Sequence, residues 1–200
     1  MDDTSKSDLS EALISTTEFE ATLKEEARRM GEFAGQLKGE ELRPLLVLLL
    51  DRKAPDGERE RALVALPEFP EGEGKRKVLF AAGMEVAGRK LPVVAAFLAA
   101  EAWTKMMTEA EGWRAKLHGP PRPSTAPDRT EALVLWGRTV DGRAALAMAP
   151  LSHHSSATKL GAWRFIGPGA DVQDNLLGFF FSGLLLKWKE MRGEGTTREA

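Results

Sequence analysis

Two groups of residues in this chain have the types and spacing to do chemistry. The first is Glu101 and Trp103 together with Asp128, Arg129 and Glu131. On a strand, residues two apart share a face, so Glu101 and Trp103 point the same way, and the other three can lie near the same sheet edge. Carboxylates, a guanidinium and an indole brought together make a small polar site able to orient a ligand. The plainer reading is a Glu101–Arg129 ion pair that pins the intervening linker, with Trp103 in the core. Ion pairs at strand ends are common and seldom functional, which favours that reading. The second group is Ser152-His153-His154-Ser155. Imidazoles ligate metals and exchange protons near neutral pH. Neighbours on an extended chain point opposite ways, however, and the third histidine, His118, sits in another loop. The pair therefore reads as a solvated turn, and no metal, cofactor or catalytic residue is expected.

Other chemistries are thinner still. The chain has no cysteine, which excludes disulfides, thiolate metal sites and thiol nucleophiles. Lys75-Arg76-Lys77 and Arg89-Lys90 flank one helix and could meet phosphates, but no aromatic residues interleave with them. With 28 basic and 30 acidic residues the net charge is −2, so a solvated basic face is the simpler reading and nucleic acid is not an expected partner. Gly72-Glu-Gly74 lacks the third glycine of a nucleotide loop. In the absence of a nucleophile–base pair, a metal-ligand spacing or a phosphate loop, the expected function is that of a non-enzymatic accessory or protein-interaction protein. The alternative is a small-ligand-binding protein or enzyme using Glu101, Asp128, Arg129 and Glu131.

The elements that must position these groups centre on the run from Glu131 to Leu151. Asp141-Gly142 between two apolar runs is a hairpin signal, because both residues tolerate positive φ. A two-residue turn centred there pairs Leu135 with Met148 and Gly137 with Leu146 on one face. It sets Val134 and Trp136 opposite Ala149 and Ala147 on the other. Both faces are apolar, so the ribbon belongs inside a sheet covered on both sides. Leu91 to Met107 is open between helix and strand, and the alternation of Val93, Ala95, Phe97 and Ala99 favours a strand to about Trp103. Lys159 to Ile166 is a candidate fourth strand.

Ahead of the sheet the pattern is helical. Thr17 and Glu20 form a capping-box pattern, and Phe19, Leu23, Ala27, Met30, Ala34 and Leu37 draw one apolar stripe, ended by Gly39. Leu42–Leu50 reads as a short buried helix, Asp56–Leu66 as another, and Lys75–Arg89 as a third. Asp171 can cap a closing helix to about Arg192. The expected organisation is a flexible N-terminus at 1–16, one α+β domain over 17–192, and a flexible tail at 193–200. Within the domain, a helical part spans 17–90, a mostly antiparallel sheet of about four strands spans 91–166, and the closing helix spans 171–192.

The combination Pro92-Val-Val-Ala-Ala-Phe-Leu-Ala-Ala-Glu-Ala-Trp103, a Pro-Ser linker, Asp128-Arg129 and Glu131-Ala-Leu-Val-Leu resembles uncharacterised prokaryotic and phage proteins. In these, a strand ending in Glu-Ala-Trp precedes a linker and a hairpin. The resemblance covers residues 92–151. It implies a strand at 92–103 and a phage or mobile-element origin, and it implies no activity.

Leu176 to Trp188 is apolar nearly all round, yet too short to span a bilayer, which takes about 20 residues. Phe179, Phe180 and Leu184, with Phe181, Leu185 and Leu186, point to every side of a helix, so cover must come from the N-terminal helices or from a second copy in a homodimer. One Asn and two Gln beside many charged residues is a pattern reported for thermophiles. The polar, acidic start has no apolar signal region, which makes the cytoplasm the expected compartment.

Overall fold

The computed structural model describes residues 14–37, 40, 42–69, 73–104, 129–154, 157–168 and 176–193. Asp128, His118, the 119–127 linker, Asp171 and most of both expected flexible ends lie outside them. The fold is α+β. Helices α1 (Thr16–Gln36), α2 (Gly74–Gly88) and α3 (Leu176–Met191) surround strands β1 (Leu45–Lys53), β2 (Arg59–Ala65), β3 (Val93–Thr104), β4 (Thr130–Thr139), β5 (Ala144–His154), β6 (Ala157–Leu160) and β7 (Arg164–Ile166). All pairings are antiparallel, in the order β2-β1-β3-β4-β5-β6, and β7 also pairs with β5. No helix among the described residues is long and apolar enough to cross a membrane.

Two expected helices are strands. Leu42–Leu50 contributes β1 and Asp56–Leu66 contributes β2, so the sheet has seven strands rather than four and the 17–90 part is not purely helical. A run such as Leu-Leu-Val-Leu-Leu-Leu has no period that separates a buried helix from a strand covered on both faces. The Asp56-Gly57 pair decides it, as a hairpin turn rather than a helix start. Ala54 donates to Glu58 O, Gly57 donates back to Ala54 O, and Gly57 has φ +87°.

The Asp141-Gly142 hairpin repeats this arrangement: Thr139 donates to Arg143 O, Gly142 donates to Thr139 O, and Gly142 has φ +97°. Each loop holds three residues and ends in a left-handed glycine, and at Asp141-Gly142 a two-residue turn was expected. The extra residue shifts the β4–β5 register by one. Leu135 pairs with Ala147 and Gly137 with Ala145, while Val134 pairs with Met148 and Trp136 with Leu146. A one-residue slip exchanges the faces of a strand. It turns Ala145, Ala147 and Leu151 of β5 toward α1 and, by alternation, Leu146 and Met148 to the opposite face. Gly142→Ala is expected to cost about 1–3 kcal/mol, the usual penalty for a non-glycine residue held in a sparsely populated backbone region, read as a lower denaturant midpoint at unchanged slope.

One face of the sheet is covered by α1, where Phe19, Leu23, Ala27, Met30 and Ala34 pack on Val47, Leu49, Phe97, Ala99, Leu133, Leu135 and Leu151. The cap of α1 is Ser15, not Thr17: its hydroxyl accepts from Glu18 N at 3.1 Å, and the chain is already buried at Ile14. The helix ends at Gln36, short of Gly39. Lys159–Ile166 is two short strands, β6 and β7, interrupted at Gly161–Trp163.

The opposite face is covered by α2 and α3. Gly83 and Gly183 face the partner helix's backbone, and a Cβ on either would fall within 3.0 Å of the Phe180 or Phe80 carbonyl oxygen. This close approach accounts for the cover that α3 needs. Phe180 and Leu184, expected on a self-association surface, are fully buried, and Phe179 is partly buried beneath the Arg76 guanidinium at 5.1 Å. The apolar circumference that suggested a second copy is largely consumed within one chain, leaving Leu185 and Leu186 exposed.

Candidate functional site

The polar site lies where the apolar rows beneath α1 run out. On β3 the inward positions Phe97 and Ala99 are followed, at intervals of two, by Glu101 and Trp103. On β4 Glu131 precedes Leu133, and on β5 His153 follows Leu151, each two residues beyond a buried leucine. Thr158 of β6 stands opposite His153 in register. Period-two alternation therefore places all of these side chains on the α1 face, at one end of the sheet.

Three of them converge. His153 Nε2 lies 3.3 Å from Glu101 Oε2 and 3.9 Å from Glu131 Oε2. One ligand atom from each residue lies within 4.8 Å of the other two, and all three residues are partly buried. Two further contacts hold the group. Leu42 N–H donates to Glu101 Oε1 at 2.7 Å, which ties the segment before β1 to the end of β3. Buried Thr158 places its hydroxyl 3.4 Å from His153 Nδ1, long for a hydrogen bond but close enough to bias the ring. Glu101 also borders a cleft of about 650 Å³, shared with Glu40, Arg43, Glu68 and Lys75. β1 begins at Leu45, opposite Ala99, so among the described residues the rest of β3 has no paired strand on that side, where the cleft lies.

Of the expected site, Glu101, Trp103, Arg129 and Glu131 do come to one end of the sheet. Trp103 is opposite Glu131 in register. Trp103 is not in the core: it is 43% exposed, and the Arg129 guanidinium carbon sits 4.4 Å from its ring centroid. Among the described residues Glu101 takes Leu42 N–H and lies against His153. No protein-family model, curated protein or solved structure matches this chain. The site is therefore read from its own chemistry. His153 is the residue that the sequence reading placed wrongly. It belongs to the end of β5, not to a solvated turn, and the alternation Ala147, Ala149, Leu151, His153 carried the signal once the register is known.

Chemically, the two carboxylates are acceptors, and His153 Nε2 donates or accepts according to its tautomer. With the ring proton on Nδ1, the group presents three acceptors, a set that suits a positive centre. A carboxamide at Glu101 keeps an oxygen for Leu42 N–H while losing the charge. Glu101→Gln is accordingly expected to fold with a melting temperature within about 2–4 °C of the parent, the shift that about 1 kcal/mol produces in a chain of this size.

Proposed function

We propose that this chain is a small-ligand-binding protein whose ligand is a compact cation taken at Glu101, Glu131 and His153. The observation that carries the reading is the convergence of those three acceptors, one from each of three adjacent strands, within 4.8 Å. Two negative charges at such separation repel, and their cost is offset when a positive ligand enters between them. Trp103 stands beside the site, opposite Glu131 in register, with the Arg129 guanidinium on its ring. The test is a thermal-shift panel on the full chain with metal chlorides, putrescine and guanidinium. A rise in melting temperature with at least one cation, lost in Glu131→Gln, supports the reading. A panel without any shift at millimolar concentrations opposes it.

A second reading, an accessory protein that docks a partner, is favoured by β2. This strand is an edge of the sheet and carries Leu63, 66% exposed. Among the described residues no strand pairs with its outer side, and its uncharged half, Ala62–Ala65, lacks the charges that block an added strand. If a partner pairs there, Leu63→Lys abolishes its capture from a host lysate and leaves cation binding unchanged.

A further inference from the structure

We infer that the cation taken at Glu101, Glu131 and His153 is a divalent transition-metal ion of the manganese-to-zinc series. The inference rests on the cation-binding reading above and narrows it to one class of ligand. The spacing is the first argument. Two donors bound to one ion at about 2.1 Å lie about 3.0 Å apart when cis, about 3.4 Å in a tetrahedron and about 4.2 Å when trans. The two separations from His153 Nε2, 3.3 and 3.9 Å, fall inside that range, and the two carboxylates lie within 4.8 Å of each other, so one ion can be reached by side-chain rotation. An ammonium holds its acceptors through hydrogen bonds of about 2.8 Å, which spaces them by roughly 4 Å or more. The 3.3 Å pair is closer than that.

The donor set is the second argument. Carboxylates alone would suit magnesium or calcium, which seek oxygen ligands; an imidazole turns the preference toward manganese, iron, cobalt, nickel and zinc. The setting of His153 is the third. Without an ion, its Nε2 proton can rest on Glu101 Oε2. To hold a metal through Nε2, the neutral ring would carry its proton on Nδ1, facing Thr158 Oγ1, and leave the Nε2 lone pair for the ion. A ligating histidine held from behind by a hydrogen-bonding group is the usual outer-shell arrangement. Three protein ligands leave the ion's remaining positions to water or to a further ligand.

The test is isothermal titration of the full chain, stripped with EDTA and dialysed, with cobalt, zinc, manganese and magnesium chlorides and with putrescine. Circular dichroism verifies that each variant is folded. One zinc or cobalt site is expected, with magnesium at least about 100-fold weaker. His153→Ala and Glu131→Gln should each weaken zinc by at least 10-fold, and Thr158→Val should weaken it by a smaller factor. Zinc binding that is unchanged in both His153→Ala and Glu131→Gln overturns the site. Binding of putrescine without any metal, lost in Glu131→Gln, overturns the metal while leaving the cation reading intact. If neither binds, both fall.

Discussion

Gly83→Ala is expected to lower the melting temperature by about 6–12 °C. Residue 83 is where α2 meets α3, and an added methyl would drive into the Phe180 carbonyl and the Leu184 amide nitrogen. Both are backbone, so no side chain can rotate away and the helices must separate. Overpacking of a tight core costs about 1–3 kcal/mol, and a backbone obstacle puts this case at the upper end. In a chain of about 200 residues each kcal/mol moves the midpoint by about 2–4 °C. Gly183→Ala should behave alike, since its methyl would meet Phe80 O in the reciprocal contact. Gly88→Ala is the control: nothing lies within 4 Å of a Cβ there, and alanine is the better helix former. Equal melting temperatures for the position 83 and position 88 variants would show that the helices do not cross at the glycines.

The second large effect concerns a buried ion pair on the other face. Glu26 is only 2% exposed, within the apolar stripe of α1, and its Oε1 lies 2.7 Å from Arg61 Nε of β2, with Arg29 at 4.0 Å. Arg61→Ala strands a carboxylate in the core, which costs about 3–5 kcal/mol at neutral pH. Burial pushes the Glu26 carboxyl above its ordinary range, although Arg61 and Arg29 pull it down. The sign follows. A folded-state pKa above the unfolded one gives stability that is present in acid and lost as pH rises through the folded value. The Arg61→Ala deficit is therefore largest at neutral pH and shrinks below the raised Glu26 pKa, where the carboxyl is neutral. Glu25 runs the opposite way: hydrogen bonds from Arg28 and Arg29 hold its carboxyl at about 2, so its contribution is lost on acidification. Comparing variant with parent at each pH cancels that term. Replacing both partners, Glu26→Leu with Arg61→Met, should recover most of the loss. Urea titrations at neutral and mildly acidic pH measure all of this, and a deficit that grows in acid would refute the assignment.

What the sequence made legible follows from how local each signal is. The stripe of α1, the strand at 93–104 and the Asp141-Gly142 turn are local patterns, and each is present in the structure. The third member of the site was hidden because it depended on register. A two-residue loop and a three-residue loop carry the same Asp-Gly, yet they send Leu151 and His153 to opposite faces. β1 was hidden because a strand buried on both sides loses its alternation, so Leu45–Leu50 resembles a buried helix. Asp56-Gly57 marked the correct answer, and the recurrence of the dipeptide at 141–142 was the available clue. Glu26 was passed over: it adjoins the stripe of Leu23, Ala27 and Met30, and only the fold shows that it is buried and that Arg61 lies against it.

The central assignment is tested most directly by anomalous diffraction from crystals of the full chain soaked in a manganese or zinc salt, measured on both sides of the metal edge. The expected result is one peak at about 2.1 Å from Glu101, Glu131 and His153 ligand atoms. An empty space between those three side chains at saturating metal, with peaks only elsewhere on the surface, would contradict it.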